Sequence, residues 1–198
     1  MSSTVEVPSS VHARLRQETA GAHARLEAEV DIFARTSDPS ARADLARRFH
    51  GFHAGAEAVL EPLLGGIDGL DYAARRRTPV IEADLRALGH ALPKRLEANG
   101  PAPADVPEAL GLLYVLEGST LGGRVIRKQL LKAGQDLKGL GFLDPYGEAV
   151  AERWRSFLAI LDRECPSSAP GRGTAAVRGA LGGFEWARSL LPPRRPSE

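Results

Sequence analysis

The chain has 198 residues, 43% hydrophobic and 26% charged, with a formal net charge of +1. That length suits one domain or at most two small ones, and the near-neutral charge gives no reason to expect nucleic acid or an anionic membrane as partner. The lone cysteine, Cys165 before Pro166, excludes an internal disulfide and a cysteine-based metal cluster, reads as a structural thiol, and fits a reducing, cytoplasmic setting.

No apolar stretch approaches the ~20 residues that span a bilayer; the longest lies around Leu112 to Leu116. Met1 to Ser10 has neither the basic region nor the apolar block of a secretory signal. The ends, 1–8 and 192–198, read as loose tails around one domain over 9–191.

Inside that domain, apolar residues recur at helical spacing with almost no β-branched alternation, so the fold class is all-α. The first helix follows Ser9 and Ser10 and runs to about Ile32, with Leu15, Thr19, Ala22, His23, Leu26 and Val30 on one face. Asp38-Pro39 opens the second, which turns Leu45, Phe49, Phe52, Ala56, Val59 and Leu60 inward and ends at Gly65-Gly66. Thr78-Pro79 opens the third, which stops near Gly89; a short helix holding Leu92 and Leu96 follows. A long helix spans about Pro107 to Ala133, with Gly134 as terminator. Asp144-Pro145 opens the next, through Trp154 and Leu161; Cys165 to Gly173 reads as a loop, and a last helix carries Ala176 to Leu190.

Five histidines are available: His12, His23, His50, His53 and His90. A di-iron bundle needs Glu-x-x-His on two helices, and no glutamate here is followed by histidine three residues later. His12 and His90 read as solvated or capping residues near helix ends, and His50 and His53 as surface or half-buried positions. His23 lies mid-helix on the apolar stripe. Taken alone, such a histidine is more often a hydrogen-bonded core residue than a ligand. Glu27, four residues on, would serve either role, as a hydrogen-bond partner or as the carboxylate that orients a ligating imidazole.

The long helix carries glycines at 118, 122 and 123. Each interior glycine costs about 1 kcal/mol relative to alanine. Three readings stay open: close helix–helix packing, a helix stop at Gly118, or a flat ligand lying directly on the helix backbone.

Taken together, two segments resemble the haem oxygenase family. Leu15-Arg16-Gln17-Glu18-Thr19-Ala20-Gly21-Ala22-His23-Ala24-Arg25-Leu26-Glu27 is similar to its proximal helix, with a basic residue seven before the ligand histidine, threonine four before it and glutamate four after. Leu113-Tyr114-Val115-Leu116-Glu117-Gly118-Ser119-Thr120-Leu121-Gly122-Gly123-Arg124-Val125-Ile126 is similar to its distal helix, and most so to the bacterial branch, which includes suppliers of biliverdin to bacterial phytochromes.

The resemblance covers about residues 10 to 190 and implies a single helical bundle with a glycine-kinked distal helix. It implies haem b as both substrate and cofactor, with His23 as axial iron ligand. Gly118, Ser119, Gly122 and Gly123 would line the dioxygen face. Arg16, Thr19, Glu27, Tyr114 and Arg178 would bind or support haem, with Arg16 paired to a propionate and Arg172 a further basic candidate. Ser119 stands where animal members have the aspartate that organises distal water, leaving Arg124 or buried waters as candidates for that task.

The implied reaction yields biliverdin, iron and carbon monoxide. The sequence has no flavin or nicotinamide fingerprint, so electrons would come from a separate ferredoxin, flavodoxin or reductase. Arg75-Arg76-Arg77 reads as a solvated loop, with docking of an acidic donor as its functional alternative. A haem carrier or sensor without turnover is the second function, supported by Ser119. A thiamine-degrading relative is disfavoured, because Cys165 precedes a proline in a loop rather than lining a pocket.

Overall fold

The structure is a computed structural model that describes residues 10–93 and 100–192. Helix α1 covers Val11–Val30, and the Ser10 hydroxyl caps it by accepting from the Ala13 N–H at 3.2 Å. It stops two residues earlier than its periodicity predicts, because Asp31 adopts a left-handed conformation (φ 44°) and turns its carboxylate onto the N-terminus of α2, Ile32–Ser37. Asp38 caps α3, Pro39–Leu64, in the same way.

After a 3-10 turn at Tyr72–Arg75 comes α4, Thr78–Ala87. It closes at Gly89 (φ 78°), with the N–H of His90 bonded to the carbonyl of Leu85. Leu92 lies in non-helical chain, and Leu96 and the helix expected around it lie outside the described residues.

Helix α5 covers Val106–Lys132. Asp105 accepts from the Glu108 N–H at 2.9 Å, and Glu108 reaches back to the Ala104 N–H at 2.9 Å, a variant of the capping box. It runs unbroken through all three glycines, which removes the helix-stop reading.

Two expected boundaries are corrected. Helix α6 begins at Val150 and runs to Glu164, not from Asp144-Pro145. Asp144 is turned onto Arg127 at 3.6 Å instead of capping a helix, and two 3-10 turns fill the interval. Helix α7 covers Pro170–Leu190, so the second half of the expected 165–173 loop is its first turn, opened by proline. The tails expected at 1–8 and 192–198 lie outside the described residues, apart from Pro192.

No strand occurs among the described residues, and none of their helices is long and apolar enough to cross a membrane. The core joins Leu15 of α1, Leu45 and Leu60 of α3, Leu85 of α4, Leu110 and Leu113 of α5 and Phe157 of α6, all at most 1% exposed. Helices α5 and α7 make the most extensive contact. Their backbones touch: a Cβ at Gly111 would overlap the Ala176 carbonyl, and one at Gly179 would overlap the carbonyl of Glu108.

Candidate functional site

On α1, Leu15, Thr19 and Ala22 face the core, and the Thr19 hydroxyl donates to the Leu15 carbonyl at 2.7 Å. His23 follows one turn after Thr19 but sits at the edge of the stripe. Its side chain is 57% exposed, so the core-histidine reading fails. One ring edge packs on Phe184 of α7, 5.7 Å between centroids. Nε2 stands 3.6 Å from Glu27, beyond hydrogen-bond distance. An imidazole held by packing, with an accessible nitrogen and a carboxylate at hand, has the chemistry of an iron ligand.

Thr19 also touches Tyr114 of α5. Burial raises the Tyr114 phenol above its ordinary pKa, opposed by the nearby Arg16 guanidinium and the Thr19 contact. Tyr114, His12 and Trp154 form an aromatic cluster with centroids 5.7 to 6.2 Å apart, joining α1, α5 and α6. Arg16 is exposed and, among the described residues, makes no ion pair. It is a cation left available for an anionic group.

The glycine segment of α5 has two sides. Gly123 is buried, and a Cβ there would overlap the Leu143 carbonyl. It serves close packing against the protein's own backbone, which corrects its expected place on a ligand face. Gly118, Leu121, Gly122 and Val125, at helical spacing, form the other side. A Cβ at Gly122 would meet nothing within 4 Å, and at Gly118 only the edge of Trp154 at 4.0 Å. Leu121 and Val125 are exposed apolar residues flanking this bare strip of backbone. Ser119 is exposed, and its hydroxyl donates to the Leu116 carbonyl at 2.6 Å, leaving its lone pairs as acceptors.

Three basic residues are engaged elsewhere. Arg178 is bound to Glu108 at 2.9 Å, because its neighbour Gly179 is pressed onto the N-terminus of α5, ten residues from Gly118 and so about 15 Å along the helix. Arg172 binds the carbonyl and carboxylate of Glu164, and Arg124 binds the Gly147 carbonyl and Glu148. Arg124 is thereby tied to the protein instead of being free to organise distal water.

The sequence reading passed over Glu117. Its carboxylate, 1% exposed, accepts from Arg75 at 2.7 Å, Arg77 at 3.3 Å and the Tyr146 hydroxyl at 2.7 Å. Arg77 also stacks over the Tyr146 ring at 4.3 Å, and Arg75 reaches Ser156 and the carbonyls of Leu70 and Arg153. The expected solvated loop is therefore wrong for Arg75 and Arg77, which are buried and cannot dock a partner; Arg76 is half-exposed and pairs with Glu57. A carboxylate beside three glycines in an apolar helix was the available signal, but its partners lie some forty residues away in sequence.

His50 and His53 are also buried, not surface residues. Burial, then the charges of Arg77 and His50, push His53 down to about 3, so it is neutral. Among the described residues no cluster of three or more His, Cys, Asp or Glu side chains could hold a metal ion. Cys165 is buried, and its thiol is pushed up to about 11 by burial.

No protein-family model matches the chain. Among solved structures it resembles the NO- and CO-bound haem oxygenase from Neisseria meningitidis, with a TM-score of 0.67 and 23% identity over 92% of this chain and 90% of that one. It also resembles the haem oxygenase from Leptospira interrogans, with a TM-score of 0.71 and 15% identity over 92% and 98%. The fold is therefore the all-α haem oxygenase fold.

Sequence similarity carries this to the family. The chain is 38% identical over 136 residues to a haem oxygenase of Xanthomonas campestris, covering 67% of this chain and 78% of that protein. It is 33% identical over 168 residues to the haem oxygenase PigA of Pseudomonas aeruginosa, covering 78% and 81%. The chain belongs to the haem oxygenase family.

Proposed function

We propose that the chain cleaves haem, using dioxygen and electrons from an external reductant, to biliverdin, iron and carbon monoxide. The observation that carries this is the open face at Gly118, Leu121, Gly122 and Val125, on a helix joined to α1 by the Thr19–Tyr114 contact one turn before exposed His23. An accessible imidazole, a bare apolar strip of helix and an unpaired arginine match the iron, the flat ring and the propionates of haem b.

His23 would hold the iron, and a small movement of Glu27, now 3.6 Å from Nε2, would let it accept the proton of the ring nitrogen that does not bind iron, fixing the ring and raising its basicity. Arg16 takes a propionate, since a guanidinium matches a carboxylate in a bidentate way, and Tyr114 lies beside it. When bound, haem supplies the iron at which dioxygen is activated. Around it the chain orients and excludes. Gly118 and Gly122, without β-carbons, let the helix backbone come close to one face of the ring, and Leu121 and Val125 keep bulk water from its edges. Ser119 offers lone pairs to a water donating toward the distal face. A ferredoxin, flavodoxin or reductase delivers the electrons.

Anaerobic loading with haem, followed by reductant and air, tests this. Loss of the Soret band with formation of biliverdin is expected. Retention of intact haem would instead make the chain a haem carrier or sensor of the same fold.

A further inference from the structure

The charges buried behind α5 do not balance. Arg75 and Arg77 bring two guanidinium groups to the single carboxylate of Glu117, with all three side chains at most 3% exposed. Around this group, Arg153 pairs with Asp71, Arg76 with Glu57, Arg124 with Glu148 and Arg127 with Asp144, while Glu61 lies by Tyr72 and Asp84 is held by the backbone N–H groups of Gly141 and Phe142. Tyr146, its phenol pushed up to about 12 mainly by burial, remains a neutral donor to Glu117, and His53 facing Arg77 is neutral as well. Within the group of Arg75, Arg77 and Glu117, one positive charge is left over.

Its position relative to the open strip is fixed by the helix. Glu117, Thr120 and Gly123 point into the protein, while Gly118, Leu121, Gly122 and Val125 point out. The excess charge therefore lies behind the open face, across about the 10 Å width of one helix. At that separation, and at the effective dielectric of a protein interior, a unit charge changes a ligand's binding constant about tenfold.

We propose that Arg75, Arg77 and Glu117 form an electrostatic group that makes the Gly118–Gly122 face favour anions over neutral ligands. The inference rests on the reading of that face as the distal wall of a haem site. None of the three touches the ligand; they act through the helix. Negative charge developing on a ligand at that face would be stabilised by a fixed cation behind it that need not reorganise.

The test is titration of the ferric haem-loaded protein with azide and, separately, with neutral imidazole, read by absorbance. The ratio of the two affinities cancels general loosening of the pocket. Arg77→Met should lower the azide-to-imidazole ratio about tenfold. Arg77→Lys, which keeps the charge but loses the fork, should hold it near wild type. Glu117→Gln, which removes the only anion of the group, should raise it. Shifts in the same direction for Arg77→Met and Glu117→Gln, or no shift, would mean the group is merely structural and overturn the proposal. If Glu117→Gln does not fold, Arg77→Met against Arg77→Lys decides, and equal ratios for these two overturn it. Failure of the wild-type protein to load haem overturns the reading of the face itself, a result distinct from a loaded protein whose ratio ignores the charge.

Discussion

Gly122 and Gly123 adjoin in the chain and do opposite things: Gly123 is filled by the Leu143 carbonyl, whereas the space over Gly122 is empty. The same contrast separates Gly111, pressed on Ala176 of α7, from Gly118, which borders only Trp154. A glycine in a helix costs stability wherever it occurs, but only the filled ones recover it through packing within this chain. Gly118 and Gly122 recover little or nothing from packing within this chain, which is what the proposed ligand-facing strip requires.

This contrast predicts a graded set of stability effects. Gly123→Ala should be strongly damaging where Gly122 is not, since its Cβ would overlap main-chain atoms that cannot swing aside. A loss of about 3 kcal/mol is expected, measured by thermal or denaturant unfolding. A melt indistinguishable from wild type would show that Leu143 does not press on Gly123.

The filled side should also carry the acid sensitivity. His53 titrates near 6.5 when unfolded and is pushed down to about 3 when folded. Between those values the unfolded chain binds a proton that the folded chain refuses. Stability from this group is complete above about pH 6.5 and falls as pH drops toward 3, at a limiting slope of about 1.4 kcal/mol per pH unit. His53→Gln should flatten that part of the profile; an unchanged slope would assign the acid loss to other groups.

On the open side the signs change. Gly122→Leu should leave the apo protein as stable or more stable, by roughly 0.5–1 kcal/mol, because a helix former replaces glycine in free space. Haem turnover should nevertheless collapse, and normal turnover would remove the close-approach argument. His23→Ala should alter apo stability least, within about 0.5 kcal/mol, as expected for an exposed side chain. It should abolish the histidine-ligated haem spectrum, and an unchanged spectrum would eliminate His23 as ligand.

The fold was legible where each helix carries its own punctuation. Ser10, Asp38, Asp105, Gly89 and Gly134 all do at the helix ends what their residue types foretell. It was misread where a side chain's task is set from afar. Asp144-Pro145 looks like a helix start, but Arg127 claims the aspartate. The site followed the same division. The residues of the proposed site, His23, Arg16, Gly118 and Gly122, stand out in the sequence because their spacing is local, whereas the burial of Arg75 and Arg77 depends on Glu117 some forty residues away. Which glycines are filled depends on Leu143 and Ala176, and nothing near Gly123 or Gly111 in sequence announces them. The burial of His50 and His53 was closer to hand, since they share a helix with Leu45, Phe52 and Ala56, which form its inward face.

Cys165 bears on how long such a molecule lasts. Apart from Met1 it is the only sulfur-bearing residue in the chain. With its thiol pushed up to about 11, only about one molecule in ten thousand carries the thiolate at neutral pH, and burial screens even that fraction. Oxidants such as those formed from peroxide and free iron convert exposed cysteine and methionine to oxidised forms, so a catalyst working among them is spared where it carries little sulfur or buries it. This chain carries two sulfur-bearing residues and buries its one thiol.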